Sequence, residues 1–438
     1  MTTMADNKDK KVLKSSVERE QSQTRLNSPE SEKIKGSTNL NVPHLRFPEF
    51  GGEWEEVTLK EIADFQKDRI STEFLNESTY ISTENIKQNF GGVQLANTVP
   101  ANTNVIEYNK YDILLSNIRP YLKKVWLADR NGGCSADVFV LRSKYCEQSF
   151  LYNVIASDRF IDYVMSGAKG VKMPRGDKKQ MENFKFSIPT VTEQRKISGL
   201  LSLLDERIAT QNKVIEDLKL LRDAIIDAMF CSSKQSAPRK RIKGFYSDWK
   251  KVHLNEICSR VTQKNTNGRC DLVLTIAAQY GLVSQLDFFN KSVASENLEG
   301  YYLLQKGDFA YNKSYSSEYT CGAVKRLERY EEGVLSPLYI CFRPDPSKVD
   351  SDFLTYYFES RKWHREIMDI FVEGARNHGL LNISVIDFFN TIHRIPNIEE
   401  QRAIAKVIKT IIHKMSSEQT ILECYVKQRT YLLRQMFI

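Results

Sequence analysis

Residues 188–197 read IPTVTEQRKI, and residues 395–404 repeat that stretch as IPNIEEQRAI. Each copy opens a segment without proline, in which apolar residues recur at steps of four and three over more than four heptads. This spacing is the a and d pattern of a coiled coil, so we predict two long helices that pack along these seam positions. The predicted helix-pairing residues are Leu201, Leu204, Ile208, Ile215, Leu218 and Ile225 in the first helix, and Ile408, Ile411, Met415, Leu422, Tyr425 and Leu432 in the second.

Polar interruptions of the two seams fall at equivalent positions. Gln211 corresponds to Glu418, and Arg222 corresponds to Arg429. Two unrelated amphipathic helices, each packed on its own domain, are the alternative for either pattern taken alone. The matching interruptions, the shared entry and the shared Met-Phe exit favour two partner helices inside one chain.

A second duplication precedes the helices. The segment FGGEW at 50–54 leads into EEVTLKEI, and FYSDW at 245–249 leads into KKVHLNEI. The chain is therefore predicted to be a tandem repeat of about 200 residues, with a globular part first and a helix second. The predicted boundaries are a disordered charged tail at 1–42, globular domains at 43–190 and 245–396, long helices at 191–231 and 397–438, and a basic linker at 232–244.

Short strand-like runs dominate each globular part. Helical signals come after them, at 149–166 in the first part and at 352–372 in the second. The pattern predicts the α+β class, with two similar domains built on mixed or antiparallel sheet in a pseudo-symmetric arrangement. The loops between these elements have diverged, which suggests that the two domains bind different targets.

Composition limits the kind of protein. The chain has 438 residues, of which 41% are hydrophobic, enough apolar material for two or three folded domains. Its formal charge of +8 favours a polyanionic partner. The eight cysteines form no C-x-x-C pair, and no apolar run approaches the roughly 18 residues of a membrane span. We therefore expect a reduced, cytoplasmic protein that has no membrane segment.

Motifs for catalysis are missing. The sequence has no P-loop, no Gly-rich cofactor loop after a strand and no adenine-methyltransferase signature. Asp177-Lys178-Lys179 has the D-x-K form of some nucleases but lacks an upstream Pro-Asp partner. The six histidines are isolated from metal-ligand spacing. We predict no catalytic residue, no metal site and no cofactor bound by this chain.

Two loops in each globular part carry groups that bind phosphates and base edges. Lys and Arg neutralise phosphates, glycine lets backbone amides approach them, and Arg or Asn can read purine edges. A solvated polar loop is the alternative for any single residue, but both loops recur in the same order in both parts. The predicted DNA-binding residues are Asn117, Arg119, Tyr121, Lys123, Lys169, Lys172, Arg175, Lys178 and Lys179 in the first part, and Asn312, Lys313, Tyr315, Arg376, Asn377 and His378 in the second.

With these motifs, the chain resembles the specificity subunit of Type I restriction-modification systems. The resemblance extends from 43 to 438 and rests on the 50–54 segment, the two Ile-Pro…Glu-Gln-Arg entries, the long helices and Gly374-Ala375-Arg376. It implies two target recognition domains, each reading one half of a split asymmetric DNA site. It also implies that the long helices pack antiparallel and fix the unread gap between the half-sites.

The resemblance further implies partners that hold the chemistry. Two modification subunits would dock on the helices, bind S-adenosylmethionine and methylate adenine, and ATP-dependent restriction subunits would join them. The specificity subunit itself would be non-catalytic. Two rival functions remain at this point, a self-sufficient methyltransferase or nuclease with an unfamiliar site, and a scaffold that joins proteins without binding DNA. The missing cofactor motifs count against the first rival, and the basic paired loops count against the second.

Overall fold

The computed structural model describes residues 41–289, 297–315, 319–370 and 381–438 of the chain. Most of the predicted disordered tail, residues 1–40, lies outside the described residues. Asn41 already contacts the folded chain, because its side-chain amide donates to the Trp54 carbonyl at 2.6 Å.

In the first half of the molecule, ten strands and four short helices precede a long helix. The strands are β1 (Glu55–Thr58), β2 (Ala63–Phe65), β3 (Arg69–Ser71), β4 (Tyr80–Ile81), β5 (Asn104–Tyr108), β6 (Ile113–Ser116), β7 (Val125–Leu127), β8 (Gly132–Cys134), β9 (Val138–Ser143) and β10 (Lys185–Ile188). The helices are α1 (Leu59–Ile62), α2 (Gln148–Ile155), α3 (Asp158–Ser166) and α4 (Lys178–Glu182), and the long helix α5 (Val191–Met229) follows them.

The second half repeats this order. Its described strands are β11 (Lys250–His253), β12 (Cys258–Arg260), β13 (Leu274–Ala277), β14 (Gly281–Ser284), β15 (Tyr302–Gln305), β16 (Phe309–Asn312), β17 (Ala323–Arg326), β18 (Glu332–Leu335), β19 (Ile340–Pro344) and β20 (Ile392–Ile395). Its described helices are α6 (Leu254–Ile257), α7 (Gln285–Phe289), α8 (Ser351–Glu359), α9 (His364–Ile370) and α10 (Val385–Phe389), before the long helix α11 (Ile398–Met436).

Equivalent antiparallel sheets form the frame of each half. The strand order β2-β9-β6-β7 in the first half corresponds to β12-β19-β16-β17 in the second, and the β1-β10 pair corresponds to β11-β20. The remaining strands differ: β3-β5-β8-β4 is one mixed sheet, whereas β13-β14 and β15-β18 are separate ladders. The α+β class and the tandem repeat are confirmed. The halves share the four-stranded antiparallel sheet and the two-stranded pair, and they differ in the arrangement of the remaining strands.

One prediction about the helices was wrong in detail. The single helix predicted near 352–372 is two described helices, α8 and α9, and the helical signals at 149–166 also correspond to two helices, α2 and α3. The side chain of Ser157 starts α3 by accepting the Phe160 amide at 3.2 Å, which a continuing helix could not provide. Ser360 ends α8 in an extended conformation.

The two long helices pack against each other in antiparallel orientation. Each contains 39 residues, about 58 Å at 1.5 Å per residue. Gln211 donates to the Glu418 carbonyl at 3.0 Å and to the Glu418 carboxylate. These residues are equivalent positions 207 apart, so a pseudo-twofold axis passes between them near the middle of both helices.

Each long helix starts in its own half and ends on the other. The end of α11 lies in the core of the first half, where the Phe437 and Phe150 rings stack at 5.0 Å. The end of α5 lies in the core of the second half, where Phe230 contacts Phe353 at 5.2 Å. The two helices therefore fasten the two halves to each other.

The repeated Glu-Gln pair anchors each helix to its half. Glu193 and Glu400 are buried, and each accepts two hydrogen bonds from an arginine, from Arg46 at 2.7 and 2.8 Å and from Arg241 at 2.7 and 2.7 Å. Glu400 accepts a third, from the Trp249 indole nitrogen at 3.3 Å. The neighbouring glutamines, at 194 and 401, accept the backbone amides just before α2 and α8, both at 2.8 Å. The motif that marks the repeat in sequence is therefore structural.

Candidate nucleic-acid interface

The two loops predicted in the first half lie side by side. The Arg119 loop (residues 116–124) follows β6, and the Lys172 loop (residues 167–179) connects α3 to α4. Ile118 and Arg175 form an antiparallel bridge. The Arg119 amide donates to the Pro174 carbonyl at 2.8 Å, and the Gly176 amide donates to the Asn117 carbonyl at 3.1 Å. Residues 55 to 59 apart in sequence thus form one surface.

Backbone constraint shapes the Arg119 loop. Arg119 and Lys123 have φ angles of 52° and 53°, in the left-handed region that non-glycine residues seldom adopt. Both Asn117 and Arg119 are half-buried, and within the described residues Asn117 Oδ1 and Arg119 Nε are buried atoms without a hydrogen-bond partner. Buried polar atoms are normally paired, and exceptions mark functional or strained positions. Tyr121, by contrast, is 47% exposed.

The Lys172 loop is a short finger. Lys169 and Arg175 exchange two backbone hydrogen bonds, at 3.0 and 2.9 Å, which close the chain around Lys172. The Lys169 ammonium lies 2.9 Å from Asp177, and it lowers the pKa of that carboxyl. The Arg175 guanidinium lies 3.4 Å from Asp137. Both cations remain largely exposed, so the surface is positive although each has an acidic neighbour.

Other predicted basic residues differ in availability. Lys172 and Lys179 are exposed. Lys178 lies 4.7 Å from the Phe65 ring centre and 3.9 Å from Glu182. Lys123 forms a 2.5 Å ion pair with Asp158, which Arg434 of α11 also contacts at 3.0 Å. The Lys123 charge is thus engaged where α11 meets the first half.

In the second half, Leu381 lies beside Lys313, so a described residue at the end of the loop that contains Gly374-Ala375-Arg376 contacts the loop that follows β16. The Leu381 amide donates to the Lys313 carbonyl at 2.9 Å, as the Gly176 amide does to Asn117 in the first half. Asn312 Oδ1 accepts the Ser314 amide at 2.9 Å, and Tyr315 is 50% exposed. A cavity of about 250 Å³ lies between Asn312, Lys313 and the Leu338–Tyr339 turn. Arg376, Asn377 and His378 lie outside the described residues.

The predicted seam residues have two kinds of neighbour. All twelve are buried or half-buried. Those near the helix ends also pack on a globular core. Leu201, Leu204, Ile208, Tyr425 and Leu432 join the first half's core, and Ile225 and Ile408 join the second half's core. The sequence pattern did not separate pairing with the other helix from packing on a sheet, because both need apolar residues at the same spacing.

Sequence reasoning also passed over two apolar residues in the Lys172 loop. Val171 is fully exposed and Met173 is 49% exposed at the tip of the finger. An apolar residue in a loop gives no periodic signal, so the sequence pattern did not mark these two residues.

Nowhere in the described ranges do three His, Cys, Asp or Glu side chains gather in a group that could hold a metal ion. In the same part of the chain, every helix is too short or too polar to cross a membrane.

The chain is similar to DNA specificity subunits of Type I restriction enzymes. The profile of the Type I restriction modification DNA specificity domain matches residues 51–220. The MjaVIII specificity subunit of a Type I restriction enzyme from Methanocaldococcus jannaschii is 24% identical over 390 residues, 84% of this chain and 87% of that protein. The EcoDI specificity subunit from Escherichia coli is 27% identical over 128 residues, 28% of this chain and 29% of that protein.

Solved structures share the fold. The S subunit of a Type I system from M. genitalium has a TM-score of 0.51 and 17% identity, covering 91% of this chain and 99% of its own. A chain from a structural study of complex assembly and conformational transition in the type I R-M system has a TM-score of 0.52 and 18% identity. The match covers 87% of this chain and 96% of that chain.

Proposed function

This chain belongs to the family of DNA specificity subunits of Type I restriction-modification enzymes, and on that basis we propose that its two halves read the two parts of a split, asymmetric DNA site. The observation that carries the proposal is the pairing of the Arg119 and Lys172 loops in the first half, with the Leu381–Lys313 contact in the second, in a molecule held together by an antiparallel helix pair. The chain itself is not an enzyme, and it directs the chemistry of other subunits. The proposed recognition domains are residues 43–190 and 245–396.

Recognition combines two kinds of contact. Exposed basic side chains such as those of Lys172, Arg175 and Lys179 contact phosphates, which gives a DNA affinity that falls as the salt concentration rises. Groups held by the paired loops, such as Asn117, Arg119 and Asn312, contact base edges or position the groups that do. Because the loops of the two halves differ, the two parts of the site differ in sequence.

The helix pair sets the gap between the two parts of the site. Each helix is fixed at both ends, by the buried Glu-Gln anchor in one half and by a terminal Phe in the other. A pair fixed at both ends cannot slide without breaking these contacts. The distance between the two loop surfaces therefore follows from helix length.

Modification subunits dock on the exposed face of the helix pair. Leu200, Val214 and Leu221 are exposed on α5 at multiples of seven residues, and so share one side of that helix. Val407 and Ile421 are exposed at the equivalent positions of α11. An apolar face repeated about a pseudo-twofold axis suits two copies of one partner. These partners bring S-adenosylmethionine, and restriction subunits join them in the cytoplasm.

Sequencing of methylated adenines tests the function as a whole. A host that expresses this chain with its modification partner should methylate one split motif with a fixed gap. Insertion of seven residues into both long helices, at equivalent positions, should change that gap and leave both half-sequences unchanged. Methylation with no common motif, or without this chain, would contradict the proposal. Binding to mixed duplex DNA that does not respond to salt would favour the scaffold alternative.

The Lys172 loop has its own test. Lys172→Ala and Arg175→Ala should weaken binding to all sequences and flatten its salt dependence by about one counterion each. Lys362→Ala is the matched control. It removes a lysine outside the Lys172 loop whose ammonium lies 2.6 Å from the Asp227 carboxylate. Equal salt slopes for the wild type and both loop variants would remove this loop from the interface.

A further inference from the structure

The tip of the Lys172 loop presents apolar side chains to solvent. Val171 is fully exposed, and Met173 is 49% exposed on the other side of Lys172. Gly170 allows the turn, with a φ angle of 97°. Single exposed apolar residues are common on protein surfaces, so exposure alone assigns no role to them. Their setting is what distinguishes these two.

The finger that carries the tip is held in place on both sides. The backbone bonds between Lys169 and Arg175 close it, and the Arg119 amide, which donates to the Pro174 carbonyl at 2.8 Å, fixes it to the neighbouring loop. The tip is therefore presented in one orientation. This ordering is completed before any ligand binds, which lowers the entropy lost on contact.

Positive charge surrounds the apolar tip. Lys169, Lys172 and Arg175 recur at every third residue, with Gly170, Val171 and Met173 between them, and all three cations are exposed. A protein partner with an apolar patch would need acidic groups at a matching spacing on both sides of that patch. Duplex DNA meets the requirement by itself, because its phosphates flank the groove on both sides.

Only one group on unmodified DNA suits an apolar contact there. In the major groove, the thymine 5-methyl is the alkyl group among hydrogen-bond donors and acceptors. We propose that Val171 and Met173 contact thymine methyl groups in the half-site read by the first half, and that these contacts help to select its sequence. The inference rests on the proposed function and extends it to a base identity.

Side-chain length favours this contact over insertion between base pairs. Proteins that unstack DNA insert wedges such as Phe, Leu, Ile, Met or Pro. Val171, the more exposed of the two, is shorter than Leu, Ile or Met, so it suits contact with a methyl group in the groove better than insertion. Met173 is less exposed than Val171.

Deoxyuridine substitution tests the proposal, because it removes only the methyl group. The full chain with its modification partner would be titrated with a duplex that carries the motif found by methylation sequencing. Each thymine would be replaced in turn. Wild-type affinity should fall about threefold to tenfold at one or two positions, the effect of losing one or two buried methyl contacts. The Val171→Ala/Met173→Ala variant should bind the thymine and deoxyuridine duplexes equally.

Lys172→Ala is the control within the same finger. It should weaken binding to every duplex while keeping the wild-type ratio between thymine and deoxyuridine. The proposal is overturned if no deoxyuridine position weakens wild-type binding, or if the ratio persists in the Val171→Ala/Met173→Ala variant. It is also overturned if 2-aminopurine fluorescence shows unstacking that depends on these two residues. Failure of the wild type to prefer the motif over a scrambled duplex would instead contradict the proposed function.

Discussion

At one end of the molecule α11 packs on the first half, and at the other end α5 packs on the second half, but the two junctions use different forces. Phe230 is 1% exposed and contacts Phe353 at 5.2 Å and Tyr357 at 5.8 Å. Its equivalent, Phe437, is half-buried and stacks on Phe150. Aromatic burial is therefore greater at the second junction.

Charge is greater at the first junction. Arg429 is almost buried, forms two hydrogen bonds with Asp205 and lies 5.5 Å from the Phe90 ring. Its equivalent, Arg222, pairs only with the neighbouring Asp223, at 2.8 Å, among the described residues. The position equivalent to Asp205 is Ile412, whose aliphatic side chain cannot form an ion pair with Arg222.

The two junctions also leave different volumes beside their arginine residues. A cavity of about 410 Å³ remains beside Arg429 and Phe90, whereas a groove of about 1110 Å³ opens beside Arg222 and Glu359. Repeating a fold therefore preserves the backbone frame and the seam, but each junction reaches stability with its own residues. Substitution at equivalent positions should separate the two cases.

The largest expected effect is at the buried aromatic residue. Phe230→Ala should destabilise the second junction by about 3–5 kcal/mol, the usual cost of removing a buried Phe. Phe437→Ala should cost about half as much, because that ring is only half-buried. Hydrogen exchange resolved by peptide would measure each junction in the intact chain. Equal protection losses at the two junctions would contradict the aromatic difference.

A smaller effect should appear at the charged position. Arg429→Ala should destabilise the first junction by about 2–3 kcal/mol, less than for a fully buried pair because Asp205 is partly exposed. Arg222→Ala is the matched control and should cost less than about 0.5 kcal/mol. The same exchange measurement at low and high salt would test both, since screening should narrow the gap between wild type and Arg429→Ala. A large cost for Arg222→Ala would show that the junctions are alike.

Acid should distinguish the two halves as well. His393 is buried between the Tyr357 hydroxyl at 2.9 Å and the Thr391 hydroxyl at 2.8 Å, and burial lowers its pKa to about 3, with a further lowering from His253. The equivalent position in the first half is Phe186, which does not titrate. The second half therefore has a buried imidazole where the first half has a phenyl ring.

The sign of the pH effect follows from that lowered pKa. Above about pH 6.5 the imidazole is neutral in both folded and unfolded chains, and stability is at its full value. Below that pH only the unfolded chain gains the proton, so the free energy of unfolding of the second half should fall by about 1.4 kcal/mol per pH unit. Hydrogen exchange at pH 7 and 5 would compare the halves. His393→Gln should remove the extra slope, and an unchanged slope would assign it to carboxylates.

Local patterns were enough to predict the repeat and the helix pair. Gln211 and Glu418 interrupt the two seams at equivalent positions, which indicates two partner helices from sequence alone. The crossing of each helix end to the other half was not predictable, because Phe230 and Phe437 carry no information on which core receives them. The engagement of Lys123 by Asp158 joins residues 35 apart and depends on how α3 packs. Long-range contacts of this kind leave no periodic trace.

The smallest effect is expected on the pseudo-twofold axis, where the two halves must meet. Gln211 and Glu418 place polar groups in an apolar seam, and such residues fix helix register at a cost in stability. Replacing both with Leu should raise the melting temperature by roughly 2–4 °C. The methylated motif should keep a single gap length, because the Glu-Gln anchors and the Phe230 and Phe437 junctions hold both helix ends. Glu418→Gln keeps a hydrogen-bonding side chain and should change neither property. More than one gap length in the double Leu variant, with a single gap in Glu418→Gln, would assign the register to the polar pair instead.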